Sequence, residues 1–256
     1  MFKLARYYSF IVLGFIITSS AWSFDREGLA DALNGSHRSP ENKARDIHRH
    51  PVETLEFFGI GPTMTVVESW PGGGWYTEVL APYLREEGTL IGAQPRANAG
   101  WDSMLDANPG VYGKVVRVDL SKDPMAAPGT VDAILDFRNA HNWIGNEQRY
   151  DSLLKSWHAA LKQGGVVGIV DHRQDADSTV TGRTGYTKEQ DLIDIMAKYG
   201  FEFVAKSEAN ANAKDTKDHP GGVWSLPPVL RLGDQDKEKY LAIGESDRLT
   251  MKFKKK

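Results

Sequence analysis

The spacing of apolar residues changes period several times along the chain, and each change marks an element. Residues 25–58 carry helical spacing, and Ser39-Pro40 reads as a helix start, with serine as cap and proline in the first turn. His50-Pro51 interrupts it, because a residue before proline avoids the α region. A further helix over 51–58 is expected to end at Gly59. Residues 63–68 then form a short β-rich run, followed by Ser69-Trp70-Pro71-Gly72-Gly73-Gly74. Helical spacing returns with Trp75, Tyr76, Val79, Leu80, Tyr83 and Leu84, giving a strand, a glycine turn and a helix in succession. More strands are predicted at 89–93, 114–118, 131–135, 166–170, 201–205 and 248–253. A helix over 147–162 is expected to bury Leu153, Leu154, Trp157 and Leu161 and to stop at Gly164-Gly165. Thr187-Lys188-Glu189-Gln190 reads as a capping box opening a helix that ends at Gly200.

Strands alternating with helices predict an α/β fold: a seven-stranded, mostly parallel sheet with helices on both faces and an N-terminal helical extension. The last two strands are joined by a long connection without helical spacing, which suggests antiparallel pairing at one edge. Two long polar stretches, 173–186 and 210–233, read either as binding loops or as disordered segments.

Composition narrows the possibilities. The 256 residues are 41% hydrophobic and 25% charged, as in ordinary globular proteins. With 31 basic and 34 acidic residues the net charge is −3, too balanced to suggest a nucleic-acid partner. There is no cysteine, which excludes disulfides, thiolate metal sites and a cysteine nucleophile. At the N-terminus, Lys3 and Arg6 precede an uncharged apolar run from Tyr7 to Ile17. Small residues follow, with Ala21 and Ser23 placed for cleavage. Residues 1–23 therefore read as a secretory signal peptide, with an uncleaved anchor as the alternative. Residues 24–256 read as one exported, periplasmic domain with no stable membrane span.

The strongest local signal for chemistry is the glycine turn. Glycine lets the chain bend sharply and lets a ligand approach the backbone, and a helix start beyond it offers unpaired N–H groups. Glu68 stands at the carboxyl end of the preceding strand, where ligands bind in parallel sheets. The turn is neither a phosphate loop, which ends in Gly-Lys-Ser/Thr, nor a dinucleotide fingerprint. A second concentration is Asp136-Phe137-Arg138-Asn139-Ala140-His141-Asn142-Trp143. His141 suits a general base, Arg138 a carboxylate clamp and Trp143 a stacking surface. The alternative is a structural turn with Trp143 buried. Asp171-His172-Arg173 ends the next strand, which brings His172 towards His141. These two histidines with Asp171 read as hydrogen-bonded loop residues in preference to metal ligands. No Gly-x-Ser-x-Gly elbow supports a serine hydrolase.

The segment ESWPGGGWYTEVLAPYL, residues 68–84, is similar to motif I of the class I S-adenosylmethionine-dependent methyltransferases. Together with FRNAHNW and GGVVGIVDHR, it resembles a family of exported methyltransferase-like proteins, over most of the chain from about Arg45 onward. The resemblance implies a Rossmann-like fold with S-adenosylmethionine as cofactor and a small-molecule acceptor. It implies that Glu68, Pro71, Gly72, Gly73 and Gly74 hold the methionine end and sugar. Gln94 would occupy the ribose position, and Asp119 would reach the adenine amino group. Asp136 and Phe137 would face the transfer site. On the reading of the residues themselves, His141 and Arg138 would be catalytic, and Asn142, Trp143 and His172 would lie on the acceptor side. Two positions depart from the pattern: Trp70 stands where motif I has its first glycine, and Gln94 where it has a carboxylate. They motivate an alternative reading, an exported non-catalytic small-molecule-binding protein on the same fold.

Overall fold

The computed structural model describes residues 24–180 and 183–256. The expected signal peptide, residues 1–23, lies outside the described residues. The chain opens with four short helices. These are α1 (Arg26–Asn34), capped by the Asp25 carboxylate, α2 (Pro40–Lys43), α3 (Asp46–Arg49) and α4 (Pro51–Phe58). Ser39 caps α2 through its hydroxyl, with Pro40 in the first turn, as the sequence predicts. His50 takes a left-handed conformation and links α3 to α4, and left-handed Gly59 closes α4.

The sheet and its covering helices follow. In chain order they are β1 (Thr65–Ser69), α5 (Thr77–Leu84), β2 (Thr89–Gln94), α6 (Ala99–Ala107), α7 (Pro109–Tyr112), β3 (Val116–Asp119) and β4 (Val131–Phe137). Then come α8 (Ala140–Trp143), α9 (Glu147–Ala160), β5 (Leu161–His172), α10 (Glu189–Lys198), β6 (Phe201–Ser207), a 3-10 turn (Gly222–Ser225), α11 (Lys237–Ile243) and β7 (Arg248–Lys255). The strand order is β3-β2-β1-β4-β5-β7-β6. The first five strands run parallel, and β7 pairs antiparallel with both β5 and β6. The expected antiparallel pairing is thus present at one side of the sheet, with β6 as the outermost strand.

Alternation along the central strands feeds two cores. Val66, Leu90, Ala133 and Leu135 face the core beneath α1, α4 and α5. Val67, Ile91 and Ile134 face the core covered by α8, α9 and α10. Burial of both faces explains why these strands read as near-continuous apolar runs.

Three local expectations are corrected. Helix α9 stops at Ala160, because Leu161 is already extended and pairs with Val131. Gly164 and Gly165 therefore lie inside β5, where the register shifts between Val131 and Ala133, and left-handed Gly164 forms the bulge. Thr187 does not cap α10: its hydroxyl donates to Asp171 Oδ2 at 3.1 Å, and Lys188 stands at the cap position without a side-chain bond. The connection from β6 to β7 is not helix-free, since it carries the 3-10 turn and α11. Only Tyr240 of α11 is buried, too little to make a periodic signal. Among the described residues, no helix is long and apolar enough to cross a membrane.

Candidate functional site

The glycine turn leaves β1 with left-handed backbone at Trp70 (φ 53°), Gly72 (φ 61°) and Gly74 (φ 86°). A non-glycine residue in that region is uncommon, and here Trp70 is held by its N–H donating to the Ala93 carbonyl at 2.8 Å. The three glycines do different work. A Cβ on Gly74 would meet Met104 Cε at 2.6 Å, so Gly74 permits packing against α6. A Cβ on Gly73 would meet nothing within 4 Å, so Gly73 faces open space. The Gly72 carbonyl accepts from the Asn98 side chain at 2.9 Å and, more weakly, from the Gln94 amide at 3.4 Å.

Glu68 is buried, and Thr77 Oγ1 donates to its Oε2 at 2.5 Å. Trp101 Nε1 in turn donates to Thr77 Oγ1 at 3.0 Å. Burial pushes the Glu68 carboxyl up to about 8, against the opposing pull of the Thr77 hydrogen bonds and the Arg49 charge. Burial thus outweighs the Arg49 charge and favours the protonated acid near neutral pH.

A cavity of about 370 Å³ opens at the carboxyl ends of β1 and β4. Glu68, Trp70, Pro71, Gly72 and Gly73 line one side, Phe137 and Arg138 another. The Trp70 side chain packs against the core on the α8–α9 side of the sheet. Arg45 and Arg49, from the N-terminal helical segment, also line it, and nothing in the local pattern of that segment announces them. They share the buried Glu245 carboxylate with Arg248. Burial alone would raise Glu245, but Arg248, Arg49 and Arg45 hold it well below the ordinary carboxylate range.

Gln94 and Asp119 sit side by side at the ends of β2 and β3 and do not line this cavity. The Asp119 carboxylate accepts from the Ser121 N–H and hydroxyl at 3.0 and 2.5 Å and pairs with Lys122 at 3.2 Å. These bonds, Ser121 first, keep it below its usual range. It caps its own turn.

The β4 end is rigid. Asp136 is fully buried and accepts from Trp143 Nε1 at 3.0 Å and from the Asn139 amide at 3.2 Å. Burial pushes its carboxyl up to about 7. The Asn139 amide also bonds the carbonyls of Ser69 and Trp70, tying β4 to β1. Trp143 is fully buried, edge-on to Trp157, so the expectation that it stacks on a substrate is corrected: its N–H serves Asp136 and its ring serves the core. Asp136 likewise supports the site from behind and does not line it. Phe137 stacks on Tyr76 with ring centroids 3.5 Å apart, closing the floor of the cavity.

Arg138 follows in a left-handed conformation (φ 63°), its N–H donating to the Val170 carbonyl at 2.7 Å. Its buried Nε has no hydrogen-bond partner among the described residues. Burial brings the guanidinium down to about 10, still protonated at neutral pH. Arg138 lines the first cavity and also a second one of about 640 Å³.

His141, Asn142 and His172 line that second cavity. His141 Nδ1 lies 2.8 Å from Asp171 Oδ1, and the His141 N–H donates to Oδ2 at 2.7 Å. Burial alone would lower the imidazole, but the Asp171 charge and hydrogen bond outweigh it and raise it. His172 Nδ1 is bonded to Ser246 Oγ at 2.5 Å. Its pKa falls well below the usual value, first through burial and then through the positive charge of Arg138 and His141. The two rings, 5.2 Å apart, are thus pushed towards opposite protonation states. The candidate ligand atoms of His141, Asp171 and His172 lie within 4.8 Å of one another. Asp171, however, already accepts from His141 and Thr187 on both oxygens, and its geometry is that of a carboxylate orienting an imidazole. Sequence reasoning missed Arg183, Trp224 and Arg231, which reach this cavity from the two long loops.

No family model matches the chain, and no curated protein matches it. Solved structures do. A methyltransferase from Aquifex aeolicus described as SAM-dependent is 18% identical, with TM-score 0.53, over 73% of this chain and 93% of that one. The [4+2]-cyclase SpnF is 14% identical, with TM-score 0.59, over 87% and 85%. Geranyl diphosphate C-methyltransferase from Streptomyces coelicolor, solved with Mg2+, geranyl diphosphate and S-adenosyl-L-homocysteine, is 15% identical, with TM-score 0.55, over 88% and 87%. The sheet order, the glycine turn after β1 and these likenesses together give the chain the Rossmann-like fold found in S-adenosylmethionine-dependent methyltransferases.

Proposed function

We propose that the protein is an S-adenosylmethionine-dependent methyltransferase acting on a small acceptor. The observation that carries this reading is the cavity at the ends of β1 and β4, where buried Glu68 and the open face of Gly73 meet. The residues there fit the methionine half of the cofactor. Glu68 suits an ammonium group, whose charge would ionise the carboxyl that burial otherwise keeps neutral. Arg45 and Arg49 carry buried nitrogens without hydrogen bonds, suited to a carboxylate. When bound, the cofactor supplies an electrophilic methyl group. The chain's own part is to orient the acceptor and to take its proton. His141, held by Asp171 through Nδ1, leaves Nε2 as the base. Arg138, between the two cavities, positions the acceptor.

Calorimetry and thermal melting with S-adenosylmethionine and S-adenosylhomocysteine test this. Ligand at about 100 times its Kd should stabilise the fold by about 2.7 kcal/mol, and Gly73→Trp should abolish the effect. No stabilisation by either compound at millimolar concentration would remove the assignment. A second reading, an exported non-catalytic binding protein, is favoured by the engagement of Gln94 with the Gly72 carbonyl and of Asp119 with its own turn. Binding of both compounds without transfer to any acceptor would support it. Export itself rests on the pattern of residues 1–23. Fractionation with N-terminal sequencing of the mature protein tests it: a chain starting near Phe24 outside the cytoplasm is expected, and one starting at Met1 within it counts against.

A further inference from the structure

The second cavity has an electrostatic character that the first lacks. Three guanidinium groups line it: Arg138 from the end of β4, Arg183 from the loop after β5, and Arg231 from the loop before α11. No carboxylate lines it with them. Among the described residues none of the three forms a salt bridge. Arg183 reaches only the Asn142 amide oxygen at 3.5 Å, and Arg231 lies over the Trp224 ring at 4.4 Å. By contrast, buried Arg49 and Arg248 and half-buried Arg45 are matched by Glu245, and half-buried Arg173 by Asp247.

The loops that bring these groups together are built against each other. The Val223 N–H donates to the Thr184 carbonyl at 2.9 Å, and left-handed Gly222 packs so close that a Cβ would meet that oxygen at 2.4 Å. Arg183 and Arg231 are exposed, whereas Arg138 is half-buried and its buried Nε has no hydrogen-bond partner, which an anionic ligand would supply. Guanidinium groups suit the planar, multidentate recognition of carboxylate and phosphate. The same charges argue against a cation at His141 and His172.

We infer that the second cavity binds an oxyanion group, carboxylate or phosphate, of the methyl acceptor, gripped by Arg138, Arg183 and Arg231 beside His141. The acceptor role rests on the methyltransferase reading; the anion site stands on the cavity itself. An acceptor anchored there meets the first cavity across Arg138 and presents a nucleophilic O–H or N–H to His141. With the cofactor bound, the nucleophile would take the methyl as the sulfur–methyl bond breaks and a neutral thioether leaves, while the O–H or N–H proton would pass to His141.

The test titrates the purified protein with inorganic phosphate and with citrate, against chloride at matched ionic strength, by calorimetry and tryptophan fluorescence. Saturable binding of phosphate or citrate is expected, weakened about tenfold or more in Arg231→Gln and further in Arg183→Gln/Arg231→Gln. Preference for phosphate marks a phosphorylated acceptor, and preference for citrate a carboxylic one. Both variants change loop residues and should keep the wild-type melting temperature and S-adenosylhomocysteine affinity. Binding no stronger than chloride, or equal in wild type and double variant, overturns the site. Competition between the oxyanion and S-adenosylhomocysteine also overturns it, since the anion would then sit in the first cavity. Oxyanion binding without any cofactor binding keeps the site and overturns the acceptor role, separating the two failures.

Discussion

The two cavities on either side of Arg138 are both lined by arginines, yet they are built in opposite ways. Around the first, Arg45 and Arg49 are neutralised by buried Glu245, with Arg248 behind them. Around the second, no carboxylate lines the cavity beside Arg138, Arg183 and Arg231, and the last two are exposed. Arg45 and Arg49 have an internal counter-charge and still offer free N–H groups to the first cavity; the arginines of the second cavity have only solvent or a ligand to match them. The contrast gives the first group a stabilising role besides binding and the second group binding alone, although residue type alone makes them look alike.

The largest expected effect comes from breaking the matched group. Glu245→Ala leaves buried cations without their counter-charge and should cost about 3–5 kcal/mol of stability, read by urea denaturation. A loss under about 1 kcal/mol would mean that Glu245 does not neutralise the group. Next is the base beside the unmatched arginines. His141→Asn should lower kcat by about a hundredfold or more with little change in cofactor affinity. Asp171→Asn should reproduce much of that loss and move the pH profile, because Asp171 acts by orienting and charging the imidazole.

A smaller effect is expected from pH. The Glu68 carboxyl is raised in the folded state, so the fold binds a proton more tightly than the unfolded chain does. That contribution is fully present below the ordinary carboxyl value and is lost as pH rises towards about 8. Asp136, raised to about 7, acts in the same direction. Wild-type stability should therefore fall between about pH 5 and pH 8, with a slope of up to about 1.4 kcal/mol per pH unit for each group. Glu68→Gln should flatten that slope, and bound S-adenosylmethionine should flatten it in wild type by supplying the ammonium partner. A slope unchanged by the substitution would show that Glu68 is ionised in the free protein. The smallest effect is expected at the loops: Arg231→Gln should change stability by no more than about 0.5 kcal/mol. A larger loss would make Arg231 structural and erase the contrast between the cavities.

Much of the fold was legible because its signals are local. Central strands buried on both faces read as apolar runs, and the glycine turn after residue 68 marked the ligand end of the sheet. Ser39-Pro40, Pro51 and Gly59 fixed helix ends through backbone restrictions that hold in any context. Signals failed where a long-range partner competed. Thr187 is a good cap by sequence, but buried Asp171 needs its hydroxyl. Gly164-Gly165 looks like a helix stop, but Leu161 already pairs with Val131, so the glycines bend a strand. Trp143 looks like a binding ring, but Asp136 beneath it needs a donor and the core needs its bulk.

The sequence by itself determined the alternation of strands and helices, the place of the glycine turn and the acidic strand ends, because each depends on spacing within a few residues. The tertiary structure alone decided which charges face each other. It set Glu245 among arginines some 200 residues distant in the chain, and it brought Arg183 and Arg231 from separate loops to Arg138. Whether a buried charge is matched depends on distance in space, and no pattern along the chain carries that distance.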